Sequence, residues 1–449
     1  MANVGDVAGL FFPHCQALGI DPDDTASPVV LRKMVYAGVH ARSFKEASRH
    51  IEELAELKIS DQRIARATKH IGRERVAQRE AEAEAYEELS LPTQQQSPCE
   101  QVPQVACVLA DGGRLQIRDR QSSDEEEQPT EQKEQQPTER EEDREERPTE
   151  KSSFWREFKG GVLQSMASKV SQDDPCPEIP HVFIDRERMR KISREIKGYC
   201  VPDKKDKKED AEESSHDESP TSQRPGQPEV LVRSVVATRE DVHVFGKLLA
   251  AAAWRRGFAA APRKAFVADG QEANWTVWRR HFSHYTPILD FIHAICYVFA
   301  AAVAGRPLSQ AWPIYCEWAQ WVWSGRVDLV IAALRIRQQE LGLPEKDESE
   351  ETPRSKVATA LRYLENQQSR MHYDEYRRLG LPITSSHMES TIKQINRRLK
   401  GTEKFWSEGG AEALLQLSAD YLSETNSLTT FWRDRPTHAT GQRHYQSSS

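Results

Sequence analysis

The sequence predicts an α/β protein in which a strand-bearing core is interrupted by long helical segments. Three observations carry that prediction. Short valine-rich or alternating runs at 102–118, 154–168 and 231–238 have the pattern of strands. Two further apolar runs, 264–268 and 287–289, are separated by stretches with helical spacing. Residues 291–385 then carry a helical pattern throughout.

The chain has 449 residues, of which 37% are hydrophobic and 29% charged, with a formal charge of −8. The charge is uneven. Residues 124–150 hold 13 acids against 4 bases, and 203–228 hold 8 against 5. With those two spacers set aside, the remainder is +4, so the acidic total does not exclude a polyanionic partner. Seven scattered cysteines without a C-x-x-C pair predict reduced thiols in a cytosolic protein and argue against a zinc site. The start of the chain lacks the pattern of a signal peptide. The longest apolar stretch, Phe291 to Ala304, is too short for a membrane span and contains His293.

Residues 29–90 have all-helical spacing. Ser43 and Glu46 are placed as a capping box ahead of Phe44, Ala47, Ile51 and Leu54. Ser60 could cap a second helix, His70-Ile71-Gly72 is read as a turn, and a basic segment with Arg73, Arg75 and Arg79 follows. That order suggests a helix-turn-helix with these arginines on DNA; a plain helical bundle with a solvated charged face is the alternative. Residues 91–98 are a polar linker.

Val102 to Ala110 reads as a buried strand, Asp111-Gly112-Gly113 as a hairpin turn, and 114–118 as the returning strand. Three P-T-E repeats make the spacer 121–151 a segment expected to be disordered, like 203–228. Strands are expected at 154–168 and 231–238, then a helix from Glu240 to Arg256, a strand at 264–268, a helix carrying Trp275 and Trp278, and a strand ending before Asp290. Three antiparallel strands followed by alternating units is the order of a ribonuclease-H-like core. Trp312, Trp318, Trp321 and Trp323 are read as packing between helices in preference to a base-stacking platform.

Three carboxylates then stand out. Asp111 ends the first strand, Asp269 ends the fourth, and Glu389 opens a late helix. Side chains gather at strand ends in sheets with parallel strands. If the first and fourth strands are neighbours, Asp111 and Asp269 could share Mg²⁺ or Mn²⁺, with Glu389 completing a second ion's shell for phosphodiester displacement. Each acid alone has an ordinary explanation, as a turn aspartate or a helix N-terminal charge. Met388, Ile392, Ile395 and Leu399 form an apolar stripe on the last helix, and Lys393, Arg397 and Lys400 follow Glu389 at helical intervals. Residues 353–403 hold 10 bases against 5 acids, which fits a nucleic-acid backbone beside the acids, or a solvated basic helix.

The sequence resembles DDE-type transposases of bacterial insertion sequences, of the Kra-type family, with Mutator-type enzymes as remoter relatives. The resemblance rests on Asp111 to Arg118, Trp155 to Lys159, Val267 to Gly270 with Trp275, Ile288 to Ala294, and above all the block Asn366 to Gly401. It implies a ribonuclease-H-like core (99–290 and 386–435) with an all-helical insertion (291–385); beside it, 1–98 is read as a helical DNA-binding region and 436–449 as a flexible tail. It maps a metal-binding triad onto Asp111, Asp269 and Glu389, and explains the 120 residues between the last two. It maps an auxiliary pair onto Asp290 and His293, which could equally be a helix-capping aspartate and a buried histidine. The expected partners are DNA (element terminal repeats and target) and a second copy of the chain, in the bacterial cytoplasm at the nucleoid, with no membrane. A non-catalytic DNA-binding descendant and a nuclease without strand transfer are the other readings.

Overall fold

The computed structural model describes residues 26–118, 154–197, 227–401 and 404–435. Most of both acidic spacers and the tail 436–449 lie outside the described residues.

The chain opens with α1 (Pro28–His40), α2 (Phe44–Ala55), α3 (Asp61–Glu88) and the helical turn α4 (Leu91–Gln94). Both predicted caps are present. Ser43 Oγ accepts from the Glu46 N–H at 3.1 Å, and Ser60 Oγ accepts from that of Arg63. The Glu46 carboxylate reaches back to the Arg42 N–H, one residue before the cap. The turn expected at 70–72 does not form, because α3 runs through it for 28 residues. Gly72 serves close approach instead: a Cβ there would lie 2.6 Å from the carbonyl oxygen of Ala413 on a late helix. The helix-turn-helix at this point is therefore replaced by one long helix packed on the body of the protein.

A five-stranded sheet follows, with β1 (Val105–Gln116), β2 (Trp155–Ala167), β3 (Glu229–Thr238), β4 (Arg263–Ala268) and β5 (Thr286–Leu289) in spatial order β3-β2-β1-β4-β5. The first three pair antiparallel, and β1, β4 and β5 are parallel. The predicted hairpin at 111–113 is a correction: β1 continues unbroken through Asp111, Gly112 and Gly113 to Gln116, paired with β2 throughout. The ring of Phe158 lies where a Cβ of Gly113 would be, 2.5 Å from its Cε1, so that glycine also permits packing, not a turn. Between β2 and β3 the chain forms α5 (Arg186–Lys197), a helix the sequence reading left out.

The rest is helical apart from β4 and β5. Helix α6 (Val242–Arg255) is capped by Asp241, and α7 (Glu272–His281) joins β4 to β5. The predicted helical segment comprises α8 (Phe291–Val303), α9 (Leu308–Trp323), α10 (Val327–Leu341), α11 (Pro353–Gln367) and α12 (Tyr373–Arg378). Its tryptophans pack as expected: Trp318 and Trp323 are buried, with Trp312 and Trp321 against the same core. The chain ends with α13 (Ser386–Leu399), α14 (Glu408–Leu422) and α15 (Ser427–Asp434). Helices cover both faces of the sheet. Gly161 of β2 lies against Phe245 and Leu249 of α6, while Gly160 lies against Met388 and Ile392 of α13. No helix among the described residues is long and apolar enough to cross a membrane.

Candidate active site

The site follows from strand register. Ala110 of β1 pairs with Ala268 of β4, and Ala268 pairs with Leu289 of β5. The next residue on each strand is acidic: Asp111, Asp269 and Asp290. The condition attached to the first and fourth strands is met, since β1 and β4 are parallel neighbours, about 4.8 Å apart in such a sheet. Asp111 is half-buried and Asp269 buried.

Each carboxylate is oriented by its surroundings. Asp111 Oδ1 accepts from the Gly112 N–H at 2.7 Å. Asp269 Oδ1 accepts from the Gln271 N–H at 3.0 Å and from Asn274 Nδ2 at 2.8 Å. Gly270 beside it leaves room for the Tyr363 ring, which a Cβ would meet at 2.2 Å. Glu389 sits in the first turn of α13, whose stripe Met388, Ile392, Ile395 and Leu399 is buried as predicted. Gly160 stands opposite Asp111 in the β1–β2 ladder, and its missing side chain lets α13 close onto that face of the sheet.

Electrostatics ties the three acids together. Burial first, then the carboxylates of Asp269 and Glu389, push Asp111 up to about 6, against the Gly112 N–H and the His293 charge. Asp290 is fully buried and serves as the α8 N-cap, so the capping alternative is observed. Its Oδ1 accepts from the His293 N–H at 2.9 Å and lies 3.2 Å from His293 Nδ1. Its Oδ2 accepts from the Ser385 N–H, at the entrance to α13. Burial pushes His293 down, but the Asp290 hydrogen bond and charge, with Asp269 and Asp111 behind them, hold it up at about 9. His293 is thus an imidazolium that faces the acidic row. The sequence reading missed the Ser385 tie, Asn274 and Gly160; the acid ending each parallel strand, with a polar residue a turn later, was the available signal.

Two of the predicted DNA contacts are corrected. Arg75 is buried with its guanidinium Nε and Nη2 on Asp420 of α14, at 2.9 and 3.0 Å. Arg79 is buried against Glu412, Gln416 and the Ala237 carbonyl. Neither can face a groove, whereas Arg73 is exposed. Lys393, Arg397 and Lys400 are exposed on or just after α13, beyond Glu389. A cavity of about 270 Å³ lies between α3, β3 and α6, and none of the three carboxylates lines it.

Among the described residues, no three His, Cys, Asp or Glu side chains form a ready metal cage. Asp111 and Asp269 end neighbouring strands, and their oxygens accept from Gly112, Gln271 and Asn274. Asp111, Asp269 and Glu389 offer only oxygen donors, and the repulsion that adds to burial in raising Asp111 is what a hard divalent cation would relieve. No protein-family model matches the chain, and no curated protein matches it.

Proposed function

We propose that this chain is a metal-dependent DDE-type transposase with a ribonuclease-H-like core, cutting DNA at the ends of an insertion sequence and joining them to target DNA. One observation carries the reading. Asp111 and Asp269 stand side by side at the carboxyl ends of the parallel neighbours β1 and β4, with Glu389 close enough to raise the Asp111 carboxyl, in a sheet of order β3-β2-β1-β4-β5 with helices on both faces. Asp111, Asp269 and Glu389 would hold Mg²⁺, or Mn²⁺ in its place. Such ions supply an activated water or sugar hydroxyl and stabilise the leaving oxygen.

The chain's own residues do the rest. The Gly112 N–H and Asn274 orient two of the carboxylates. His293 offsets part of the negative charge behind them, and Asp290 holds it there. Lys393, Arg397 and Lys400 offer exposed cations along the approach to Glu389, where a phosphodiester backbone would lie. Element ends, target DNA and a second copy of the chain are the proposed partners, in the cytoplasm at the nucleoid.

The test is incubation with DNA carrying the flanking element ends in Mg²⁺ or Mn²⁺. Wild type should release 3′ ends and form joined donor–target products. Asp269→Asn and Glu389→Ala should bind the same DNA without cutting it. Cleavage by the variants at the wild-type rate refutes the site. Cleavage without joined products favours a simple nuclease, and binding without cleavage favours a non-catalytic descendant.

A further inference from the structure

Beyond Gly112 the sheet narrows to two strands. The β1–β4 ladder stops at Ala110 and Ala268, and the β2–β3 ladder stops at Lys159 and Thr238. Residues 113–116 and 155–158 continue alone as a two-stranded ribbon. Its far end is anchored by Ile117, which bridges to Trp406.

The tip of this ribbon breaks the usual rule for aromatic side chains. Phe154 is 45% exposed, Trp155 36% and Phe405 43%, although large rings ordinarily enter a core. Phe154 and Phe405 stand edge to face at 5.5 Å. Lys400 Nζ lies 5.4 Å from the Trp155 ring centre. Arg114 and Arg118 are exposed on the same ribbon, and Glu157, opposite Arg114, is its exposed acid. An apolar protein partner would favour a patch depleted of charge at its centre. Exposed rings interleaved with cations instead match the way unpaired bases are held, by stacking on π-faces beside backbone charges.

We propose that Phe154, Trp155 and Phe405, with Lys400, form a stacking platform for unpaired bases of a DNA strand. Five residues separate Asp111 from Gln116, the partner of Trp155, a distance of about 17 Å along the strand. The platform therefore meets DNA about five nucleotide steps from the acidic row. A strand frayed or displaced near the cutting point would be captured there. This inference rests on the reading of the chain as a DNA-processing enzyme.

The experiment measures binding of the full chain, without divalent ions, to a labelled blunt duplex and to the same duplex ending in a short single-stranded thymidine tail. Wild type should prefer the tailed DNA. Trp155→Ala and Phe405→Ala should each weaken tailed binding by roughly 5- to 150-fold per stacked base, with blunt binding unchanged. Trp155→Phe keeps a ring and should retain most of the preference, which separates stacking from misfolding. Lys400→Ala should lower the salt slope by about one on tailed DNA. Survival of the tail preference in both alanine variants, equal loss on blunt duplex, or no tail preference in wild type overturns the proposal. Tail preference without end cleavage keeps the platform and refutes the transposase; end cleavage without tail preference does the reverse.

Discussion

His293→Gln removes an imidazolium held within electrostatic reach of Asp269 and Asp111. The ring is mostly buried, with Nδ1 3.2 Å from the fully buried Asp290 carboxylate. Burial alone would lower its affinity for a proton. The Asp290 hydrogen bond and charge, with Asp269 and Asp111, raise it instead to about 9 from an ordinary 6.5. A histidine raised in the folded state stabilises fully below about pH 6.5 and loses that contribution as pH climbs through about 9. The interval is worth about 3 kcal/mol at about 1.36 kcal/mol per pH step. Other groups titrate elsewhere. Burial works against ionised Asp290, but His293 and the Ser385 side chain hold its carboxyl below the usual range, so its contribution disappears only in acid. Asp111, raised to about 6, has the opposite sign: its ionisation costs stability between about pH 4 and 6 and is constant above. Urea unfolding at pH 6.5 and 9.5 reads the effect directly. The stability difference between wild type and His293→Gln should shrink by about 3 kcal/mol at the higher pH. A difference that stays constant across that window refutes a charged His293.

Three further substitutions test the packing that carries the site. Arg79→Ala strands the Glu412 carboxylate in the interior and should cost about 3–5 kcal/mol in urea unfolding, with Arg73→Ala nearly neutral; equal, small effects would return Arg79 to the surface. Gly72→Ala would raise helix propensity in an exposed helix, but here its Cβ meets the Ala413 backbone, so a loss of about 1–3 kcal/mol is expected and a gain would contradict the α3–α14 contact. Gly160→Ala meets the yielding ends of Met388 and Ile392, so stability should fall by only about 1 kcal/mol. End cleavage should fall much further, about 100-fold for a shift of about 1 Å in Glu389, and unchanged cleavage would show that α13 need not seat so closely.

The parallel half of the sheet was legible because its signals are local. Each of β4 and β5 is a short apolar run closed by an aspartate, and α13 declares its buried face through Met388, Ile392, Ile395 and Leu399. The failures share one cause. Gly72, Gly112 and Gly113 were read as turn residues, yet none is among the positive-φ glycines. The missing Cβ of Gly72 and Gly113 serves close packing, against Ala413 and Phe158. A glycine in sequence does not say which use it serves when its partner is distant in the chain. The same distance hid the role of Arg75 and Arg79, whose partners Asp420 and Glu412 lie more than 300 residues away. Their basic run looks like a DNA contact only while α14 is out of view.

The identities of the acids were therefore easier to read than the means of bringing them together. Asp111 and Asp269 need only adjacent parallel strands. Glu389 arrives 120 residues after Asp269, across β5 and six helices, and no local pattern can aim it. Asp290 supplies the missing constraint. Its backbone N–H is hydrogen-bonded to Ala268, one residue before Asp269, while its carboxylate holds the N–H of Ser385, four residues before Glu389. The Phe291 N–H adds a second tie, to the Ile383 carbonyl. The start and end of the helical excursion are thus pinned to each other at the strand end that carries Asp269. The length of the excursion can then vary without moving Glu389, provided that these contacts and the Gly160 gap are kept. On this argument Asp290 is a positioning residue: it acts on the candidate site through Ser385 and His293, and a fully buried aspartate is costly enough to need such a role.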